Sequence, residues 1–238
     1  MTNLSIVIPC YNEEKNIIPL FKKIENLLTK DPNIEIIIVD NGSTDNTKNN
    51  ILNSDLNIDK KIKVYEIKKN IGYGHGIMSG VKIASGNFIG WCHADLQTEP
   101  EDIYNAYQQN YEKLKNDKVI IKGIRTNRNL FDKLFTLGMS IMASILFQRI
   151  VSDINAQPKL FSQTFRNFLV DYPYDFSLDL YLLIIAKVKY YKIVNHKVVL
   201  KKRLHGEAKG GGNLKGKIKL IKRTFIYMLK LRKKIWKL

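Results

Sequence analysis

An α/β fold with an open, mostly parallel mixed sheet flanked by helices is predicted by three observations. Short β-branched runs alternate with segments of helical spacing from residue 5 onward. The second run is continuously apolar, as a strand covered on both faces is. Polar clusters follow directly on the carboxyl ends of the runs. Ser5 to Pro9 is the first strand, and Glu14 to Thr29 places Ile17, Leu20, Phe21, Ile24, Leu27 and Leu28 at helical spacing. Ile34 to Val39 is the second strand, Lys63 to Ile67 the third, Gly76 to Ala84 a helix, and Asn87 to Cys92 the fourth strand. After Asp117 the pattern changes. A strand is expected at Val119 to Gly123, an uncharged helix at Leu134 to Phe147, a segment without assignment at Asp153 to Phe161, a helix from about Ser177 to Ala186, and a strand at Lys192 to Leu200. His205 to Gly212 is a glycine-rich loop, and Leu214 to Leu238 a basic helix.

A chain of 238 residues with 45% hydrophobic content is long enough to bury a substantial core. Its formal net charge is +17, but ten basic residues and no acid lie in the last 25 positions, so the rest carries 17 − 10 = +7. That milder excess suits phosphate-bearing ligands as well as nucleic acid, and does not choose between them. Cys10 and Cys92 sit inside apolar strands and read as small core residues, not as a disulfide framework. The first residues run straight into a strand without a basic segment followed by an apolar one, so a cytoplasmic, reducing location is expected. The uncharged stretch between Lys133 and Arg149 is shorter than the ~20 residues a bilayer requires, which leaves a core or interfacial helix and no expected span.

Ligands of open α/β sheets gather outside the carboxyl ends of the strands. Tyr11-Asn12-Glu13, Asp40-Asn41-Gly42-Ser43 and His93-Ala94-Asp95 occupy those places after the first, second and fourth strands. A nucleotide base needs a flat apolar face and in-plane hydrogen-bond partners, which Tyr11 and the Asp40 carboxylate supply. The plainer reading of Asp40 to Asp45 is a turn followed by a helix cap. Asn70-Ile71-Gly72-Tyr73-Gly74-His75-Gly76 imitates a dinucleotide loop, yet it follows the third strand where such a loop ends the first, which argues against a redox cofactor.

Ile6-Val7-Ile8-Pro9-Cys10-Tyr11-Asn12-Glu13, Val39-Asp40-Asn41-Gly42-Ser43-Thr44-Asp45, and Asp95-Leu96-Gln97 with Pro100 stand in the order and rough spacing of one family. Over residues 4 to 210 the chain resembles family 2 glycosyltransferases, and within them the polyprenyl-phosphate, dolichol-phosphate mannosyltransferase-like branch. The resemblance implies a GT-A nucleotide-diphospho-sugar transferase fold and an inverting transfer from a UDP- or GDP-sugar. Residues 1–118 would then form the nucleotide-sugar-binding half, 119–212 the acceptor side of the same catalytic domain, and 213–238 the basic amphipathic appendage. Pro9, Tyr11, Glu13 and Asp40 would border the base and ribose.

A leaving nucleoside diphosphate gains negative charge, which a divalent cation on a carboxylate offsets. Asp95 is the expected ligand for Mg²⁺ or Mn²⁺. Gln97, two residues on and so on the same side of an extended segment, adds a carbonyl oxygen. His93 stands where relatives often carry another acid; nitrogen suits Mn²⁺ better than Mg²⁺, and a single strand-end histidine is more commonly a hydrogen-bonding residue. Arg125, Arg203 and Lys209 resemble basic residues that the family places near phosphates, with Ala208 where a serine is frequent. Asp179 corresponds to an acid facing the acceptor: a general base if the acceptor is a glycan hydroxyl, an orienting group if it is a polyprenyl phosphate, whose second pKa of about 6 leaves it largely ionised. Without that context Asp179 is an acid favoured by a helix N-terminus. His93 and Ala208 also leave open a non-catalytic nucleotide-binding protein.

Leu214, Ile218, Ile221, Phe225 and Met228 form one helical stripe among ten Lys and Arg residues, with Trp236 near the end. That pattern fits the surface of an anionic membrane, peripherally at its inner face. The stripe lacks the interleaved aromatic residues that stack on bases, so no nucleic-acid partner is expected. A helix packing its stripe on the catalytic domain shows the same spacing.

Overall fold

The computed structural model describes residues 2–54, 61–116, 118–128, 130–206 and 214–235. Seven strands form one sheet: β1 (Leu4–Cys10), β2 (Ile34–Asp40), β3 (Ile62–Glu66), β4 (Phe88–Trp91), β5 (Val119–Arg125), β6 (Lys159–Ser162) and β7 (Lys192–Val198). Their order is β3-β2-β1-β4-β6-β5-β7, and β6 runs antiparallel to β4 and β5 while the other pairs are parallel. The sheet is therefore open, mixed and mostly parallel. β6 begins in the segment that the sequence left unassigned and ends one residue beyond it, because four residues beginning with a lysine show no periodicity. Residues on both sides of position 118 contribute to this one sheet.

Strand alternation divides the core. Ile6, Ile8, Ile36 and Ile38 pack with Leu20 and Ile24 of α1 (Glu14–Lys30) on one face. Val7, Ile37 and Val39 pack with Ile77 and Val81 of α3 (Tyr73–Ile83) on the other. Gly80 lets α3 sit this close, since a Cβ there would lie 2.4 Å from Val7 Cγ1. Four short helices escaped the sequence reading: α2 (Thr47–Leu52), α4 (Pro100–Gln109), α5 (Tyr111–Asn116) and α7 (Gln163–Arg166). For α4 a start signal was present, Pro100 at the first turn with Asp102 accepting the Glu99 N–H at 2.7 Å. The short α7 (Gln163–Arg166) follows β6, and α8 (Leu178–Val188) is buried almost throughout. Cys10 and Cys92 are buried, and neither takes part in a disulfide.

α6 (Leu130–Phe147) and α9 (Leu214–Ile235) pack on each other. α6 starts earlier than the uncharged stretch suggested, since Asp132 and Lys133 fit its first turns. Its 18 residues are long and apolar enough, by length and composition, to cross a membrane, which corrects the expectation that no segment is. Only Ser140 and Ala143 of α6 are buried, while Leu134 (65% exposed), Leu137, Ile141 and Ile145 (72%) line its outer side. α9 is divided: Thr224, Met228 and Leu231 face the core, and Ile218, Phe225, Ile226 and Leu229 are exposed. The stripe read from sequence thus serves both faces. The side chain of Leu214, together with residues Trp236 and Lys237, lies outside the described residues.

Lys122 of β5 is buried with its Nζ donating to Gly123 O at 3.1 Å. Burial, followed by the nearby charge of Lys159, pushes its pKa down from 10.5 to about 8. A base whose folded pKa lies below its unfolded value weakens the fold wherever it stays protonated, and stability recovers as pH rises from about 8 towards 10.5. Lys122→Met is expected to raise the unfolding free energy at pH 7 by about 1–3 kcal/mol. Urea unfolding at pH 7 checks this; a less stable variant would show that the Gly123 bond outweighs desolvation.

Candidate active site

A cavity of about 540 Å³ opens beside β1 and β4, where the strand order changes direction, with Pro9, Tyr11, Asn41, His93, Asp95 and Arg203 in its wall. The first two sequence motifs are locked to each other there. Asn12, in the left-handed region at φ 53°, donates its N–H to Ser43 Oγ at 3.1 Å and accepts the Thr44 N–H at 2.8 Å. Glu13 also lines the cavity and accepts a bond from Asn16 Nδ2 at 2.6 Å, and the same nitrogen reaches His205 O at 3.4 Å. Asp40 is placed differently from its neighbours: it is buried behind the wall and accepts the Ser43 N–H at 3.1 Å, the turn role. Asn41 lines the cavity in its place. Its Nδ2 donates to Gly72 O at 3.1 Å, and its Oδ1 is buried without a hydrogen-bond partner.

Asp95 and Gln97 converge, but not through strand alternation. The segment after β4 is a turn, with Leu96 buried at φ 58°. This left-handed residue, and not an extended one, sets how the flanking side chains approach each other. Asp95 Oδ1 accepts the Gln97 N–H at 3.1 Å, and the Arg203 guanidinium sits between Asp95 Oδ2 (2.7 Å) and Gln97 Oε1 (3.2 Å). Two oxygens gripping one cationic nitrogen are a donor set that suits a divalent cation. Among the described residues no group of three or more His, Cys, Asp or Glu side chains is arranged to hold a metal, so these oxygens form a partial set that ligand oxygens would complete. Lys209 lies outside the described residues.

On the opposite wall Arg125 is committed to Asp153, through its backbone N–H at 2.9 Å and its Nε at 3.0 Å, with Nη2 closing the pair. Burial works to raise the Asp153 pKa, but the Arg125 bonds prevail and hold it below the ordinary value. Arg128, which the sequence did not single out, reaches Thr136 Oγ1 at 2.7 Å and Asp132 O at 2.9 Å and also lines the cavity.

Asp179, in the first turn of α8, is 2% exposed and belongs to a buried network. Lys159 Nζ lies 3.1 Å from its Oδ1, Gln157 Nε2 donates to Oδ1 at 3.1 Å, and Tyr73 OH reaches Oδ2 at 3.2 Å. Tyr73 OH is also 2.9 Å from His93 Nε2, and the Tyr73 ring stacks on Phe176 at 4.6 Å. Burial lowers the Lys159 pKa, with Asp179 opposing that shift, and burial followed by the Asp179 charge drives the Tyr73 pKa well above its usual value. None of Tyr73, Gln157 and Lys159 was legible as a site residue. The one signal was a lysine opening an apolar run, Lys159-Leu160-Phe161. The glycine loop that supplies Tyr73 is a structural joint: Gly74 N–H and His75 N–H both donate to Tyr174 O, at 2.7 and 3.2 Å, and Gly72 at φ 140° leaves no room for a Cβ.

Residues 5–169 match the family described as Glycosyl transferase family 2. The chain is similar to the undecaprenyl-phosphate 4-deoxy-4-formamido-L-arabinose transferase of Yersinia pestis (strain Pestoides F), 32% identical over 152 residues that cover 61% of this chain and 43% of that protein. It is likewise 32% identical over 104 residues to the dodecaprenyl-phosphate galacturonate synthase of Rhizobium johnstonii, covering 42% of this chain and 30% of that one. The matches thus span less than half the length of these relatives. Among solved structures, glucosyl-3-phosphoglycerate synthase from Mycobacterium tuberculosis, in complex with Mn²⁺, UDP and glucosyl-3-phosphoglycerate, superposes with a TM-score of 0.70 at 17% identity, covering 97% of this chain and 80% of that one. That likeness is one of fold, and the fold is the GT-A arrangement expected from the sequence.

Proposed function

The chain belongs to glycosyl transferase family 2, and from that premise we propose that it moves a sugar from a UDP- or GDP-sugar to a polyprenyl phosphate, peripherally at the cytoplasmic face of a membrane. One observation carries the acceptor. The same cavity is lined by Tyr11 and Asp95, by Phe135 and Met139 of α6 and Ile221 of α9, and by Arg128 and Arg223. A phosphate head on a long apolar tail matches that mixture of guanidinium and apolar wall, and α6 and α9 carry exposed apolar side chains as well. The relatives named above, whose names specify undecaprenyl and dodecaprenyl phosphates, support the same class.

On the donor side Tyr11 offers a face to the base. Asp95 and Gln97 present their oxygens to the diphosphate's cation, and Arg203 turns from them to the phosphates, where its guanidinium fork fits. A bound Mg²⁺ or Mn²⁺ supplies positive charge that offsets the charge growing on the leaving diphosphate. A phosphate acceptor arrives already anionic and attacks the anomeric carbon from the face opposite the diphosphate, so inversion needs no protein base.

The test is nucleotide release with a panel of UDP- and GDP-sugars and Mn²⁺ or Mg²⁺, with undecaprenyl phosphate in anionic vesicles, in vesicles lacking the acceptor, or without vesicles. Release stimulated at least tenfold by the lipid phosphate is expected, with Arg223→Ala raising the acceptor KM more than it lowers kcat. Release that responds to glycans and not to the lipid phosphate would transfer the reading to a hydroxyl acceptor. Failure of the chain to co-sediment with anionic vesicles would remove the membrane from it.

A further inference from the structure

We propose that α9 is a wall of the acceptor site, and that Phe176 is the positioning residue that holds the Arg223 guanidinium in the cavity for the acceptor's phosphate. This rests on the reading of the acceptor as a polyprenyl phosphate. Arg223 belongs to α9, whose basic residues would otherwise serve only to meet an anionic surface, yet it lines the cavity together with Asp175 and Phe176. Its Cζ lies over the Phe176 ring, 5.7 Å from the centroid, and its Nε is 3.0 Å from Asp175 Oδ2. Phe176 is itself held in place: Tyr73, another residue of the cavity wall, stacks on it with ring centroids 4.6 Å apart and planes 16° from parallel. Asp175 is committed too, since its Oδ1 accepts the Ser177 N–H at 2.8 Å and its carbonyl the Leu178 N–H at 3.2 Å, at the start of α8.

α9 reaches this loop because its inner face is apolar. Met228 and Leu231 join the core that contains Leu178 and Tyr181 of α8. Lys234, about three helical turns after Arg223 and so on the same face, pairs with Asp171 at 2.7 Å. Two acids of the loop between α7 and α8 thus take two cations of one helix face. The Arg223 and Asp175 side chains are 45% and 31% exposed, so their pairing adds little to stability in water. What the acid and the ring do is remove freedom. A guanidinium on a helix surface samples many rotamers, and immobilising it on a ligand costs affinity. A side chain already laid over an aromatic ring, with its Nε engaged, has lost that freedom beforehand. The fork presents donors on all three nitrogens, so a contact at Nε leaves the Nη pair for two oxygens of a phosphate. The same helix contributes Ile221 to the cavity, so α9 offers a guanidinium to the phosphate and an apolar side chain to the first carbons of the tail.

The probe is geranyl phosphate, a short prenyl phosphate that dissolves without vesicles, so attraction to a membrane does not enter. Isothermal titration into the full chain should show binding weakened about tenfold or more by Arg223→Ala and about three- to tenfold by Phe176→Leu. Phe176→Tyr keeps the ring and should bind as the wild type does. Because Phe176 acts through Arg223, the double variant Phe176→Leu with Arg223→Ala should bind no more weakly than Arg223→Ala alone. In transfer to the same acceptor, Phe176→Leu should raise the acceptor KM more than it lowers kcat and leave the donor KM within about twofold. Losses that add in the double variant would mark a general disturbance of the wall and overturn the proposal, as would full affinity in Phe176→Leu or in Arg223→Ala. A wild-type chain that neither binds geranyl phosphate nor transfers to it would remove the acceptor reading and the proposal with it. A wild type that does both while Phe176→Leu changes nothing would remove the positioning role alone.

Discussion

Asp95→Ala is expected to lower kcat/KM for transfer by about 10³-fold or more, roughly 4 kcal/mol of lost transition-state stabilisation. Asp95 is the charged member of the oxygen pair that holds Arg203 in the cavity. Its removal takes away the anionic oxygen needed to hold a cation against the leaving diphosphate. The fold should survive, because the side chain's partners are the neighbouring Gln97 N–H and the part-exposed Arg203, and no core contact depends on them. Nucleotide release measured beside a thermal melt separates the two effects. Activity within tenfold of wild type, at unchanged melting temperature, would remove Asp95 from the chemistry and with it the significance of the Leu96 turn.

The largest expected effect on stability belongs to the buried pair behind the cavity. Lys159→Met leaves an ionised Asp179, 2% exposed, with Gln157 and Tyr73 as its remaining partners, and breaking such a pair from one side costs about 3–5 kcal/mol. Substituting both members, Lys159→Met with Asp179→Leu, should recover most of that loss, since an apolar pair of similar volume avoids desolvating two charges. Urea unfolding of the two single variants and the double variant measures the coupling. Recovery of stability without recovery of transfer is the outcome expected of a pair kept for the geometry it imposes on Tyr73 and His93. Additive losses in the double variant would show that the two residues are not coupled.

Much of the architecture was legible because its causes are local. The apolar runs of β1 and β2, the helical spacing of α1 and the basic, stripe-bearing α9 each declare themselves within a dozen residues. Strand β6 was not legible, since four residues carry no period and its pairing with β4 and β5 is decided by distant chain. The extent of α6 was misjudged for a related reason: counting uncharged positions ended the helix at Lys133, whereas a helix accommodates Asp132 and Lys133 wherever they reach water.

The site divides along the same line. Sequence by itself determined the places of Tyr11, Glu13 and Asp95, because an open parallel sheet delivers the ends of its strands to one edge whatever else the chain does. It also determined that Asp95 and Gln97 belong together, though for the wrong geometric reason. Tertiary structure alone showed that Asp40 is buried and accepts the Ser43 N–H while Asn41 lines the cavity, that Arg125 is held by Asp153, and that Arg203 is the residue gripping Asp95. It alone joined Tyr73, Gln157, Lys159 and Asp179, which come from three separate stretches of chain, around His93. The physical reason is that a motif encodes backbone direction over a few residues, whereas the charge and proton position of a buried group are set by whichever atoms folding brings within 3 Å or so, and that proximity has no signature along the chain.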